Sequence, residues 1–340
     1  MTDLFEQLSK EFVQHGIRSE TYVSLASLTT YGVGGKAQLA AWASSAEEVQ
    51  RIADIVSTHS ELDVVVVGRG SNLLIADTGF RGLAVILSAP VAQAAISVEG
   101  DVVVAPGTMT MPVLARRSAA AGRGGLEWCV GIPGTVGGAV RMNAGGHGAE
   151  MVDSLVSAQV ISLLSARAVE VNASDLGLHF RGSVLGRHHV VVSARLKTHD
   201  VSAEVANKEI DEIVSWRREH QPGGRNAGSV FVNPAQGDGS AGALIDAIGL
   251  RGFAVGGAHV SEKHANFIQA SESATADDIV AVMTHVQEEV EKRHGIRLRS
   301  EVQLVGFDAN IAQRFADPRH ADTERVAAAQ HLVSLLGDAS

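Results

Sequence analysis

The 340 residues carry 45% hydrophobic and 19% charged side chains, the composition of a folded chain with room for two or three domains and a large core. A formal net charge of -10, with no Lys/Arg-rich run, argues against nucleic-acid binding, which needs a basic footprint. The one cysteine, Cys129, excludes an intrachain disulfide and a thiolate metal cluster, and no stretch approaches the ~20 apolar residues that cross a bilayer. The opening MTDLFEQLSKEF has acidic residues and no apolar h-region, so a cytoplasmic protein without membrane contact is expected. The 14 histidines are scattered, and His259 and His264, with Glu262 the sole acid between them, form no recognisable ligand array. No metal site is expected.

In chain order, Leu4 to His15 reads as a helix stopped by Gly16, followed by an extended lead-in to about residue 28. LTTYGVGGKAQLAAWA is a glycine-interrupted strand region. Ser45 and Glu48 then form a capping box ahead of Val49, Ile52, Ala53 and Val56 at helical spacing. The β-branched run Asp63 to Val67 reads as a buried strand that empties into GRGSNLLIAD. A dinucleotide fingerprint should open a helix, whereas Leu73 to Ala76 reads as extended chain, so a Rossmann assignment is weak. Two readings of Gly68 to Asn72 stand: a hairpin loop, or a nest in which loop amides, Ser71 and Asn72 hold a phosphate.

Strands are expected at Gly82 to Leu87 and Val102 to Ala105, then a helix from Met111 to Ala121 with Pro112 in its first turn and Gly122 as its stop. GIPGTVGGAVRMNAGG, Gly131 to Gly146, places six glycines in sixteen residues with apolar residues between them. That pattern suits a packed loop on which main-chain N–H groups converge, better than a polar linker. Strands at Val156 to Leu163, Ala168 to Val171 and His189 to Leu196 complete a mixed α+β unit near residue 199. A helix follows over Ala203 to Arg218. Thr275 caps another with Ile279, Val282, Met283, Val286 and Val290 on one face, and Ile296, Leu298, Val302 and Leu304 alternate with polar residues as a half-buried strand. In the tail, Val326, Ala329, Leu332, Val333 and Leu336 define one helical face for docking on the body or on a partner.

TTYGVGGKA, GRGSNLLIAD, GIPGTVGGAVRMNAGG, FRGS, GSVFVNP, HVSEKHANFI and HGIRLRSEVQLVG, in this order from Thr29 to Gly306, resemble the UDP-N-acetylenolpyruvoylglucosamine reductase family. The resemblance implies an α+β fold: a lead-in over 1–28, a vanillyl-alcohol-oxidase (PCMH) type FAD domain over 29–199 in two subdomains (29–88 and 89–199), a C-terminal α+β substrate domain over 200–307, and a helical tail over 308–340. It implies FAD with NADPH as co-substrate, and a small-molecule sugar-nucleotide substrate in peptidoglycan precursor synthesis; with no histidine or cysteine in either glycine loop, apart from Cys129 just before the second, the flavin is expected to be non-covalent. No protein partner is inferable. Gly68, Arg69, Gly70, Ser71, Asn72 and Leu73, with Gly131, Ile132, Pro133, Gly134, Thr135, Gly137 and Gly138, would hold the flavin.

By the same resemblance Ser229 is the proton donor, and Arg181 and Glu301 stabilise the enolate derived from the substrate carboxylate. From the residues alone, Arg181 reads as a surface arginine, Ser229 as a turn residue and Glu301 as a solvated carboxylate balanced by Arg299. Gln221, Asn233, Lys263 and His264 match positions near the sugar nucleotide. Phe180 stands where the family usually has tyrosine, and Val232 where lysine is common. The short Arg181–Ser229 spacing resembles the compact subfamily without a tyrosine-bearing insertion. A superfamily oxidase and a non-catalytic binding module are the alternatives.

Overall fold

The computed structural model describes residues 2–89, 95–234, 239–316 and 323–338. The first unit is a four-stranded sheet in the order 19–24, 36–43, 80–87, 64–67. Phe80–Leu87 runs parallel to both its neighbours, and Ser19–Ser24 closes the edge antiparallel to Lys36–Ala43. The expected extended lead-in is therefore partly an edge strand. Helix Ala46–Val56 begins where Ser45 Oγ accepts from Glu48 N, but the Glu48 carboxylate accepts from Ser44 N, so the second bond of the box lies one residue early. Leu8 and Phe12 of helix Thr2–Gln14 and Ile52 of the second helix cover one face of the sheet, over Leu39, Leu83 and Val85. Leu25, Val65, Val67 and Phe80 pack on the other. Burial on both faces explains the unalternating valine run.

The second unit is a five-stranded antiparallel sheet in the order 168–172, 155–162, 189–197, 102–106, 97–99. Helices Met111–Ala120, Val136–Met142 and Ala203–His220 pack on it. The third unit joins three short strands, 254–255, 258–260 and 268–270, to the capped helix Ala276–His294. Its core takes in Tyr31, Val33 and Leu74 from the first unit. Gln303–Val305 then pairs in parallel with Leu73–Ile75, directly after the first glycine loop. Mixed α+β architecture is what the sequence led us to expect.

Two expectations need correction. The strand expected over Ile296 to Leu304 shrinks to Gln303–Val305, because the preceding residues make only an isolated bridge, Phe231 with Ser300. The glycine stretch is not loop throughout: it winds into the helix Val136–Met142, ended by Asn143 at φ +40. Gly137 is needed there for packing, since a Cβ would stand 2.9 Å from Val191 O on the adjacent strand.

Candidate active site

The two glycine loops meet. A Cβ on Gly68 would lie 2.9 Å from Thr135 Oγ1, and one on Gly134 would lie 3.3 Å from Ser71 Oγ. Gly70, at φ +60, accepts a hydrogen bond from Thr30 N and has no room for a side chain against Leu28 O. Among the described residues, the main-chain N–H groups of Arg69, Gly70, Ser71 and Asn72 have no protein acceptor, and the neighbouring Thr30 Oγ1 is buried without a partner. A run of unpaired main-chain donors in a loop fits an anionic group such as a pyrophosphate. Leu73, by contrast, is buried at the start of a strand. Ile132 packs partly into the second core, Pro133 is exposed, and Thr135 Oγ1 caps the short helix by accepting from Gly138 N.

Arg181 is the outer residue of a tight turn in which His179 and Gly182 exchange main-chain hydrogen bonds of 2.9 and 3.0 Å. Its φ of +60 is the left-handed conformation that non-glycine residues avoid. The guanidinium lies 3.3 Å from Glu301 Oε1 through Nε and 3.0 Å from Glu150 Oε1 through Nη1. It also lies 4.5 Å from the centre of the Phe180 ring. Only 19% of the Arg181 side chain and 22% of the Glu301 side chain are exposed. Neither is the surface charge that residue type alone suggests. Burial raises the Glu301 pKa to about 7, Arg181 pulls it down, and the charge of Glu150 pushes it up again.

Ser229 follows Gly228, whose φ is +76, and forms a bridge with Phe267. The next residue, Val230, accepts from Glu301 N at 2.7 Å, and Asn72 Nδ2 donates to Glu301 O at 3.0 Å. A main-chain bond and a side-chain amide bond thus bring the Ser229 segment, the glutamate and the first glycine loop side by side. Buried Asn266 braces this arrangement through both its amide atoms, which bind Phe231 N and O.

The four candidate substrate residues lie in two places. Gln221 ends helix Ala203–His220 with Oε1 buried and unpartnered, and the Lys263 ammonium donates to Arg218 O at the same helix end. Asn233 Oδ1 accepts from Ala241 N at the start of helix Ala241–Ala247, and His264 stands near Gly242 on its first turn. Burial, then Arg251, lowers the His264 pKa. Sequence reasoning missed Asn143 and Glu150. A left-handed asparagine after a short helix leaves a faint signal, and a glutamate after a His-Gly pair leaves none.

Residues 37–171 match the family described as "FAD binding domain", and residues 220–305 match "UDP-N-acetylenolpyruvoylglucosamine reductase, C-terminal domain". The UDP-N-acetylenolpyruvoylglucosamine reductase of Gloeobacter violaceus is 43% identical over 295 residues, covering 85% of this chain and 97% of that protein. The chain belongs to the UDP-N-acetylenolpyruvoylglucosamine reductase family. The Bacillus velezensis reductase is 35% identical over 83% of this chain and 92% of its own length. The crystal structure of the Thermus caldophilus reductase superposes with a TM-score of 0.73 at 33% identity, covering 85% of this chain and 99% of that one. The family match ends at Val305, so the tail from residue 308 lies beyond it. No helix among the described residues is long and apolar enough to cross a membrane.

Proposed function

We propose that this chain reduces UDP-N-acetylglucosamine enolpyruvate to UDP-N-acetylmuramate in peptidoglycan precursor synthesis, with FAD as its cofactor and NADPH as reductant. The observation that carries the reading is the Arg181–Glu301 pair, held beside the Ser229 segment in a chain of this family. When bound, FAD would supply the hydride chemistry, accepting hydride from NADPH for delivery to the β-carbon of the enolpyruvyl group. The loop Gly68 to Leu73, with Gly131 to Gly138, would hold its pyrophosphate and border its ring system. Burial, then the charge of Glu127, raises the Cys129 thiol pKa, which makes this thiol a poor covalent tether for the flavin.

As the hydride arrives, negative charge grows on the substrate carboxylate as its enolate form. The Arg181 guanidinium meets that charge with fixed donors, and Glu301, protonated on the acid side of about pH 7, adds a hydrogen bond. The Ser229 hydroxyl then gives its proton to the α-carbon and recovers one from solvent. Gln221, with its unpartnered buried oxygen, and Lys263, Asn233 and His264 take the sugar nucleotide. The protein acts in the cytoplasm, where the precursor is made.

The test is anaerobic. The yellow protein is reduced with NADPH, UDP-N-acetylglucosamine enolpyruvate is added, and oxidised-flavin absorbance is followed. Prompt recovery in the native protein, slowed by orders of magnitude in Ser229→Ala, is expected. A reducible flavin that ignores the sugar nucleotide and reoxidises rapidly in oxygen would mean an oxidase.

A further inference from the structure

The Arg181 guanidinium is gripped by two carboxylates, and only Glu301 has been given a task above. The other, Glu150, uses both its oxygens: Oε1 lies 3.0 Å from Arg181 Nη1, and Oε2 accepts from Asn143 Nδ2 at 3.0 Å. Asn143 is only 1% exposed. Its Nδ2 also reaches His179 O, at the base of the Arg181 turn, at 3.1 Å, while its Oδ1 accepts from Val152 N at 2.9 Å. One buried amide therefore fixes both the turn that carries Arg181 and the carboxylate that orients it.

An ordinary surface ion pair is loose and contributes little. This carboxylate is instead 28% exposed, anchored from behind, and set against a guanidinium that a further hydrogen bond, Nη2 to Gly145 O at 3.4 Å, holds in place. The charged groups that face Glu301 are Arg181 and Glu150. We propose that Glu150 is a positioning residue for the reaction: its carboxylate, anchored by Asn143, fixes the Arg181 guanidinium through Nη1 while Glu301 meets it through Nε. The inference rests on the roles proposed above for Arg181 and Glu301.

The experiment uses the flavin-loaded protein and separates the half-reactions by anaerobic stopped flow across pH. In Glu150→Gln, flavin reduction by NADPH stays within about twofold, whereas reoxidation by the enolpyruvyl sugar nucleotide slows on the order of 10- to 100-fold through the displaced guanidinium. Its alkaline limb also moves to lower pH, because the repelling charge is gone and Arg181 turns more fully to Glu301. Glu150→Asp, which keeps the charge and shortens the reach, is slow but retains the wild-type limb. A merely structural glutamate would leave that limb in place in both variants. Asn143→Gly keeps the left-handed main chain and deletes only the amide, so it tests the same linkage if Glu150→Gln loses its flavin: slow reoxidation supports the proposal and a wild-type rate overturns it.

Wild-type reoxidation and an unmoved limb in Glu150→Gln, beside slow Arg181→Lys and Glu301→Gln proteins, overturn the proposal and leave the site reading intact. If those two are also unaffected, the roles beneath the proposal fall and take it with them.

Discussion

Arg181 carries a backbone cost for its place in the site. At φ +60 a non-glycine residue is strained by ~1–2 kcal/mol, and the turn tolerates this because the chain reversal delivers the guanidinium between Glu150 and Glu301. Arg181→Gly is therefore expected to keep a thermal midpoint within about 3 °C of wild type, strain relief offsetting the lost ion pairs, while flavin reoxidation by substrate slows by ~1,000-fold or more. A large drop in midpoint would show that the arginine holds the turn rather than serving the chemistry. Glu301 makes a second prediction. The folded carboxyl keeps its proton to about pH 7, whereas an unfolded glutamate loses it near 4.5, so the native state binds more protons between these values. Its contribution to stability is full below pH 4.5 and is lost as pH rises through 7, up to about 3 kcal/mol in all. Denaturant unfolding of Glu301→Gln should lack that slope, and an identical pH dependence in both proteins would refute the raised pKa. None of this is legible from residue type: a lone glutamate beside Arg299 reads as solvated, and only the fold replaces Arg299 with Arg181 as its partner.

Elements stopped by local signals were the readable ones. Ser45, Thr275 and Gly122 mark helix ends by bonds within a few residues of themselves, and the helices lie where those signals put them. The misread segment, 296–304, has a genuine alternation with a non-local cause. Its residues bond first to Val230 and Val232 and then, from Gln303, to Asn72 and the strand after it, so one apparent strand is two short pairings with different partners. The glycines of 131–146 misled for a related reason, because Gly134 lies against the other glycine loop and Gly137 against a neighbouring strand. Thr135 separates these uses, since its hydroxyl both caps the short helix and borders Gly68 of the other loop. Thr135→Ala should cost about 1 kcal/mol and release flavin more readily, measured as a lower ratio of flavin to protein absorbance after dialysis. Wild-type flavin retention would mean that the loops meet without serving the cofactor.

At the scale of the molecule, the units are tied across the site rather than strung in series. Asp77, from the first unit, accepts from Ala276 N and Asp277 N at 3.0 Å each, at the head of the long helix of the third. The tail is secured at the far side: helix Thr323–Leu336 buries Leu332 and Leu336 in the second core, and Asp338 accepts from Ser162 and lies 2.7 Å from His189 Nε2 and 3.3 Å from His188 Nε2. The sequence offered the helical face but left open whether body or partner would receive it; Leu332 and Leu336 go into the second core, while Val326 of that face stays exposed. His189 Nδ1 accepts from Gly186 N, so the neutral ring carries its proton on Nε2 and donates to Asp338.

Burial alone would raise the Asp338 pKa, but hydrogen bonds from His188, His189 and Ser162 hold it well below the usual value, while burial lowers that of His189. Both shifts have the same consequence. Below about pH 6.5 an unfolded histidine takes a proton that folded His189 resists, and below about pH 4 an unfolded aspartate does the same, so the docked tail loses stability as pH falls through both windows. Hydrogen exchange, expressed as protection factors, should show helix 323–336 loosening between pH 7 and pH 5. Asp338→Ala at pH 7 should lower protection there by about tenfold or more, as expected when a buried hydrogen-bond acceptor is removed, with helix 276–294 unchanged. Equal loss in both helices would place Asp338 in the global stability of the fold, and no loss in either would show that the apolar contacts of Leu332 and Leu336 hold the tail without it.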